Sequence, residues 1–235
     1  MELQIAVSKV AKWASRESGD TLEMIERPTG GLSLVLVDGQ HSGKGAKAVS
    51  NLVARKAISL LAEGVRDGAT ARAAHDYLFA LHGGKVQATL NIVSFDMVSK
   101  TVVLSRNNPN PSYALTADGV IEWEADSQPV GLYRHTKPLI KELPLSPNMA
   151  LVVFTDGLPT AGMRKGQPLD VRAEVQRLFE RGPASAQSWA DELLALAMAA
   201  DDQRPADDIS ILVVAVLPRP NADHPARRLV LRMPL

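Results

Sequence analysis

Acidic residues stand at the ends of several strand-like runs, where carboxylates could meet and bind metal ions. Asp38 ends the apolar run GLSLVLVD and Asp156 ends MALVVFTD, and a glycine follows each of them. Asp20 and Asp207 stand just before two further strand-like runs. Hard oxygen ligands of this kind suit Mg²⁺ or Mn²⁺. Two such ions about 3.5–4 Å apart can activate a water molecule for hydrolysis.

Each of these acids also has a structural explanation when it is taken singly. Asp-Gly is foremost a turn signal, and an aspartate before a helix is often a cap. Four such acids in one short chain, two of them in the form strand–Asp–Gly, favour the metal site.

The stretch 34–48, LVLVDGQHSGKGAKA, also resembles two nucleotide-binding loops. A P-loop would need glycine where Asp38 stands and serine or threonine where Gly45 stands, so that interpretation is rejected. A dinucleotide-binding turn is matched by Gly43, Gly45 and Ala48. That fold needs a second parallel strand ending in an acid about 20 residues further on, and the sequence there is helical. The nucleotide interpretations are therefore weaker than the metal site.

Composition excludes several classes of function. The chain has 235 residues, no cysteine and a formal net charge of zero. Disulfides, thiolate zinc sites and cysteine nucleophiles are therefore excluded. Zero net charge argues against nucleic-acid binding and against a polybasic membrane anchor. The N-terminus does not have the pattern of a signal peptide, and no apolar run approaches the roughly 18–20 residues that span a bilayer. We expect a cytoplasmic protein.

Period-two and period-3.6 patterns predict a sheet core with helix pairs packed against it. Helices are predicted at 46–64, 69–84, 169–182 and 184–200. Strands are predicted at 3–13, 21–28, 31–38, 86–96, 101–106, 112–119, 120–126, 136–145, 149–157 and 208–217, with a possible edge strand at 228–233. The adjacent helix pairs differ from strict βαβ alternation and indicate mostly antiparallel sheets in one domain. Trp13, Trp123 and Trp189 are predicted to be core or sheet-face residues.

The order of these motifs resembles the PPM-type metal-dependent serine/threonine phosphatases. The matching segments are SGD, VDG-x-x-SG-x-x-A before a long helix, FTDG, and DDIS before the final strand. The chain looks most like the bacterial SpoIIE/RsbU/RsbX branch, and closest to its stand-alone RsbX-like members. The resemblance implies an α+β fold, a four-layer α-β-β-α sandwich of mostly antiparallel sheets flanked by helix pairs. It implies one domain at 1–217 and a C-terminal extension at 218–235.

The resemblance also implies a site for two Mn²⁺ or Mg²⁺ ions. Asp38 would bridge the ions, and the carbonyl of Gly39 would bind one of them. Asp156 and Asp207 would complete the other ion's ligands, and Asp20 would contact metal directly or through water. A metal-bridging water would then attack phosphorus in line, without a phosphoenzyme.

The loop DGQHSG departs from the commoner D-x-x-G-H-G pattern of the family. Gln40 stands where some relatives have a histidine that serves as general acid, and His41 is a candidate substitute. Lys44 and Arg16 are candidates for contact with the substrate phosphate, although a solvated lysine and an exposed arginine are the simpler accounts. Asp208 is expected to support the site or cap a strand without binding metal itself.

The expected activity is hydrolysis of phosphoserine or phosphothreonine on a regulatory protein. By family implication, that substrate could be an anti-sigma-factor antagonist in a partner-switching stress or sporulation pathway. Since Asp20 comes so early, we expect a stand-alone catalytic domain.

Two alternatives remain open from the sequence. A catalytically weak or silent relative could act as a phosphoprotein-binding regulator, and the altered loop around Gln40 favours it slightly. The retention of mutually repelling carboxylates disfavours it. A metal nuclease or another phosphoesterase could use a similar acid cluster, but the neutral charge and the lack of a basic stripe count against this alternative.

Overall fold

Two antiparallel sheets form the centre of the structure, a computed structural model that describes residues 1–124, 127–182, 184–218 and 227–232. The first sheet has the order β1-β10-β9-β6-β7, with bounds Glu2–Val10, Ile209–Leu217, Ala150–Phe154, Ser112–Thr116 and Gly119–Trp123. The second sheet has the order β2-β3-β4-β5-β8, with bounds Asp20–Glu26, Leu32–Gly39, Ala88–Asp96, Thr101–Asn107 and Leu139–Pro144.

Helices cover the outer face of each sheet. Helices α1 (Gly43–Ala62) and α2 (Asp67–His82) pack on the second sheet. Helices α4 (Val171–Glu180) and α5 (Ala186–Ala200) pack on the first sheet. A short helix α3 (Gly157–Thr160) and a 3₁₀ turn (Met163–Lys165) connect β9 to α4. The predicted four-layer α-β-β-α sandwich is therefore confirmed.

The apolar side chains form three layers because strand residues alternate between the two faces of a sheet. In β3, Leu34 and Leu36 face the first sheet, whereas Val35 and Val37 face α1 and α2. This double burial explains why the run before Asp38 is apolar at almost every position. A third layer lies between the first sheet and α4 and α5.

Local sequence signals explain where the helices begin and end. Asp170 and Ser185 cap α4 and α5, since their side chains accept hydrogen bonds from the N–H groups of Ala173 and Ser188. Gly83 ends α2 in the left-handed conformation, with φ of 59°. Helix α1 begins at Gly43, three residues earlier than predicted.

Several predictions about local structure were wrong or only partly right. The strand predicted at 149–157 ends at Phe154, because the chain turns into α3, which the sequence analysis missed. The strand predicted at 3–13 ends at Val10, and Trp13 lies on the surface with 58% exposure. Trp123 and Trp189 are buried as predicted. Residues 227–232 form no strand, and the rest of the predicted edge strand, residue 233, lies outside the described residues.

None of the helices in the described ranges is both long enough and apolar enough to cross a bilayer.

Leu36 offers a test of the layer between the sheets, because it is fully buried there. Leu36→Ala should lower the free energy of unfolding by about 2–5 kcal/mol, since it removes apolar contacts and leaves a cavity. Urea denaturation followed by circular dichroism measures the loss. Val98→Ala is the control, because Val98 is 81% exposed and its truncation should change stability by less than about 0.5 kcal/mol. Equal effects of the two substitutions would contradict the layer assignment.

Candidate metal centre

Asp20 and Asp38 are direct partners in the antiparallel pair of β2 and β3. Partners in such a pair have Cβ atoms roughly 4.5–5.5 Å apart on one face of the sheet. The face is the inner one, because Leu36, two residues before Asp38, belongs to the layer between the sheets. Asp20 is fully buried and Asp38 is partly buried. The register of two neighbouring strands therefore places two carboxylates side by side.

Asp156 and Asp207 approach the same place from the first sheet. Asp156 follows the end of β9 by two residues, and Asp207 precedes β10 by two residues. Strands β9 and β10 are antiparallel neighbours, with Phe154 opposite Ile211, so the end of one lies beside the start of the other. The two sheets thus contribute two acids each.

The charges of the other three acids act on Asp38. Burial raises the pKa of Asp38 to about 9, and the charges of Asp20, Asp156 and Asp207 add to the shift. The pKa of Asp156 is raised as well, by loss of solvent and by Asp207. A cluster of this kind strongly favours a bound proton or a cation.

Asp20 is fixed by two hydroxyl groups and keeps one oxygen free. Its Oδ2 accepts hydrogen bonds from Thr155 Oγ1 at 2.9 Å and from Ser210 Oγ at 2.6 Å. Its Oδ1 is buried and has no hydrogen-bond partner among the described residues. Burial raises the pKa of Asp20 to about 6, although the two hydroxyl groups oppose the shift. A buried, oriented oxygen without a partner is a suitable metal ligand.

Two lysines meet at the backbone carbonyl of Asp20, and the sequence analysis missed both. Lys9 Nζ donates to this oxygen at 2.6 Å and Lys47 Nζ donates to it at 2.7 Å. Burial lowers the pKa of Lys9, and the charge of Lys47 lowers it further. The two ammonium groups place positive charge beside the acid cluster. No sequence signal marks them, because one comes from β1 and the other from α1.

Asp208 accepts hydrogen bonds from the β1–β2 loop. Its Oδ1 accepts from the N–H of Lys12 at 2.9 Å, and its Oδ2 accepts from the N–H of Gly19 at 2.8 Å. Both oxygens are therefore used by the β1–β2 loop, next to Asp20. This contact holds the start of β2 against the start of β10.

The glycines after Asp38 and Asp156 are required by close packing. A Cβ atom on Gly39 would overlap the backbone of Ala46 in α1, and one on Gly157 would overlap the backbone of Asp208. Neither glycine has a positive φ, so neither Asp-Gly pair is a turn that needs left-handed backbone. The two pairs mark places where a neighbouring segment lies directly against the chain after each acid.

The loop between β3 and α1 uses Gln40 for structure. The backbone N–H of Gln40 donates to the Gln87 carbonyl at 3.2 Å, and its side-chain Oε1 accepts from the Gln87 N–H at 3.1 Å. Gln40 thereby prolongs the pairing of β3 with β4. His41 is exposed and has a positive φ of 70°.

The candidate phosphate contacts are less closely connected to the cluster. Arg16 lies on the β1–β2 loop and Lys44 in the first turn of α1, and both are exposed. Within the described parts of the chain, neither residue forms a hydrogen bond or an ion pair with the four carboxylates.

The donor chemistry fits divalent metal ions. The converging side chains offer only carboxylate oxygens, one of them buried and without a partner, which matches the preference of Mg²⁺ and Mn²⁺ for hard oxygen ligands. The metal site is not preformed. No three His, Asp or Glu side chains of the described residues are close enough together to coordinate an ion. Binding would therefore need the carboxylates to lose protons and draw together.

Asp38→Asn tests the mutual repulsion of the acids in metal-free protein. Because the pKa of Asp38 is raised from 3.8 to about 9 on folding, the folded state binds a proton that the unfolded state releases. Asp38 therefore favours folding most below about pH 4, and this contribution is lost as the pH rises toward 9. In EDTA, the melting temperature of Asp38→Asn should exceed that of the wild type by a margin that grows between about pH 5 and pH 9.

Adding Mn²⁺ should reverse that order, because the wild type gains a ligand-binding free energy that Asp38→Asn has largely lost. Differential scanning fluorimetry across the pH range measures both effects. Asp118→Asn is the control, since Asp118 is exposed at the β6–β7 turn. Identical pH profiles for Asp38→Asn and the wild type would contradict the clustering of the acids.

The family model for stage II sporulation protein E (SpoIIE) matches residues 28–217 of this chain. Among curated protein sequences, none matches the chain significantly.

Solved structures of several bacterial phosphatase domains have a similar fold. The PP2C phosphatase domain of SpoIIE from Bacillus subtilis, solved with a fragment of its regulatory domain, superposes with a TM-score of 0.78 at 19% identity. The match covers 92% of this chain and 64% of that one, so this chain spans less than two thirds of that SpoIIE structure.

Two further solved structures have a similar fold. The RsbU and RsbW domains of a Mycobacterium tuberculosis protein superpose with a TM-score of 0.71 at 23% identity, covering 93% of this chain and 61% of that chain. RsbX in complex with magnesium gives a TM-score of 0.65 at 16% identity, covering 91% of this chain and 94% of that chain. Because the family match extends over most of its length, this chain belongs to the stage II sporulation protein E (SpoIIE) family.

Proposed function

We propose that this protein hydrolyses phosphoserine or phosphothreonine on a cytoplasmic regulatory protein, and that the reaction depends on two Mn²⁺ or Mg²⁺ ions. The observation that carries the proposal is the convergence of four carboxylates from two sheets, with one buried carboxylate oxygen left without a partner. Like charges gathered at this density are a cost to folding that a divalent cation removes. The pairing of β1 with β10, which joins residues 2–10 to 209–217, supports a single catalytic domain at 1–217.

We assign the proposed metal ligands to the two sides of the site. Asp38, on the inner face of the second sheet, would serve both ions, and the Gly39 carbonyl would bind one of them. Asp156 and Asp207 would act from the side of the first sheet. Asp20 would complete the set on the side of the second sheet. When bound, the ions would neutralise phosphate oxygens and lower the pKa of a water molecule, so that hydroxide is available near neutral pH.

The neighbouring polar groups fix the orientation of these ligands. Thr155 and Ser210 hold Asp20 in one rotamer through their hydroxyl groups. Such supporting contacts typically change metal affinity by about 10–100-fold when they are removed. Lys9 and Lys47 keep positive charge next to the cluster without occupying a carboxylate oxygen.

His41, Lys44 and Arg16 are proposed to act on the substrate and not on the metal ions. All three are exposed on loops or at a helix start, from which their side chains can reach a bound phosphoprotein. His41 would protonate the departing serine or threonine oxygen, because Gln40 is committed to the pairing with Gln87. Lys44 and Arg16 would bind the phosphate or its flanking residues.

Similar structures support the choice of substrate class. One is a cell fate determinant, one contains RsbU and RsbW domains, and one belongs to a study of the bacterial stressosome. We propose by analogy that the substrate is a phosphorylated regulator in a partner-switching pathway, such as an anti-sigma-factor antagonist.

Hydrolysis of p-nitrophenyl phosphate with Mn²⁺ tests the proposed activity directly. The wild-type protein should turn over this substrate only when Mn²⁺ or Mg²⁺ is present, and EDTA should abolish turnover. Asp38→Ala and Asp207→Ala should each lower kcat/KM by roughly 100-fold or more, because each removes an expected metal ligand. Asp118→Ala is a matched control, since Asp118 belongs to an Asp-Gly pair in an exposed hairpin turn, and its activity should equal that of the wild type.

Two results would overturn the proposal in favour of its alternatives. Absence of metal-dependent turnover, with Asp38→Ala indistinguishable from the wild type, would indicate a silent relative. Calorimetric titration with Mn²⁺ would then show whether the carboxylates bind metal at all. Faster hydrolysis of nucleic acid than of a phosphopeptide would instead indicate a metal nuclease.

A further inference from the structure

An exposed tryptophan lies on the β1–β2 loop, which leads to Asp20. Trp13 is 58% exposed, although Trp123 and Trp189 are almost fully buried. The guanidinium group of Arg204 lies over its ring, 5.3 Å from the centroid. Arg204 is itself exposed. Tryptophan and arginine are enriched among the hot-spot residues of protein interfaces, and a stacked pair on the surface is typical of such a site.

Hydrogen bonds join the loop that carries Trp13 to the segment around Asp207. The N–H of Trp13 donates to the Pro205 carbonyl at 2.9 Å, and the N–H of Lys12 donates to Asp208 Oδ1 at 2.9 Å. Asp208 is the neighbour of Asp207 in the chain. The β1–β2 loop is therefore joined to the segment that carries one of the candidate metal ligands.

The segment that follows Asp156 lies against the same loop before β10. Gly162 donates its N–H to Asp201 Oδ1 at 2.8 Å, which ties this segment to the loop before β10. Met163 is 58% exposed, and Arg164 beside it is also exposed. A depression of about 400 Å³ lies here, lined by Arg164, Lys165, Asp201, Asp202 and Arg204.

The acidic side chains around this depression have partners, whereas the two arginines form no ion pair among the described residues. Asp201 accepts from two backbone N–H groups, those of Gly162 and Ala206, and Asp202 pairs with Lys165 at 2.6 Å. Arg164 and Arg204 form no ion pair with any residue that the structure describes. Arg164 donates a hydrogen bond to the Ala206 carbonyl at 3.5 Å, and Arg204 lies over Trp13. Both guanidinium groups keep further N–H groups that can bind a carboxylate.

We infer that Trp13, Met163, Arg164 and Arg204, here called the rim surface, dock the part of the phosphoprotein substrate that flanks its phosphorylated residue. The rim surface selects a flanking segment that carries acidic side chains next to an apolar side chain. Arginine side chains bind carboxylates through paired N–H groups, and Trp13 and Met163 supply apolar area for the neighbouring residue. This inference rests on the proposed phosphatase function, because it names the substrate feature that the same site recognises.

Two phosphoserine peptides of equal length provide the kinetic test. One carries Asp, Glu and Leu beside the phosphoserine, and the other carries Lys and Gly at those positions. The wild-type protein with Mn²⁺ should give a kcat/KM at least about tenfold higher for the acidic peptide. Arg204→Ala and Arg164→Ala should each reduce this preference, mainly through KM.

Trp13→Ala tests the apolar part of the surface. The ratio of acidic-peptide turnover to p-nitrophenyl phosphate turnover should fall by about tenfold, because the small substrate does not reach the rim. Tyr77→Ala is the matched control, since Tyr77 is another exposed aromatic residue with a cation, Lys56, over its ring. Its turnover ratio should equal that of the wild type. An unchanged ratio in Trp13→Ala, or no peptide preference in the wild type, would overturn the inference.

Tryptophan fluorescence separates failure of this inference from failure of the proposed function. Iodide should quench Trp13 selectively, because the other two tryptophans are buried. The acidic peptide should protect against quenching in the wild type, and Trp13→Phe should lose the quenchable signal. Protection without any turnover would retain the docking surface and reject the phosphatase. Turnover without protection would retain the phosphatase and reject the docking surface.

Discussion

The repulsion among carboxylates between the two sheets is the constraint on which the rest of the structure depends. Two unit charges about 5 Å apart repel by roughly 3 kcal/mol at an effective dielectric constant of about 20. Asp20 and Asp38 are placed side by side by strand register, and Asp156 and Asp207 come to the same place from the other sheet. A fold that gathers these groups is stable only if the surrounding structure holds them there, and a divalent cation then removes much of the repulsion.

The groups around the cluster show how it is held. Hydroxyl groups on the side of the first sheet donate hydrogen bonds to Asp20, which belongs to the second sheet. Asp208, at the start of β10, accepts a hydrogen bond from the N–H of Gly19, which precedes β2. These contacts join the two sheets at one end of the sandwich. Lys9 and Lys47 add positive charge at the edge of β2 and also cover an edge-strand carbonyl that would otherwise be open to pairing. The same hydrogen bonds therefore orient the candidate metal ligands and join the two sheets.

Much of the architecture could be predicted from the sequence, because its signals are local. The apolar run before Asp38 indicated a strand buried on both faces, and the periodic runs after it indicated a helix pair. The order of the acidic motifs pointed to the metal centre and to the family. Trp13 could not be predicted in the same way: its position follows a strand-like pattern, but β1 ends at Val10 and the loop turns to Pro205. The short helix α3 was missed because four residues are too few for a periodic signal.

The sequence by itself determined the chemical types of the ligands, the strand and helix periods, and the two Asp-Gly pairs. Only the tertiary structure decided why glycine follows each acid, since the reason is the backbone of Ala46 or Asp208 lying against it. Only the structure showed that Gln40 is hydrogen-bonded to Gln87. Only the structure showed that Lys9 and Lys47 both donate to the backbone carbonyl of Asp20. These contacts join residues far apart in the chain, and a hydrogen bond between distant segments leaves no period or spacing in a single sequence. Local patterns therefore specify the elements and the ligand types, whereas the packing of the two sheets determines which residues surround them.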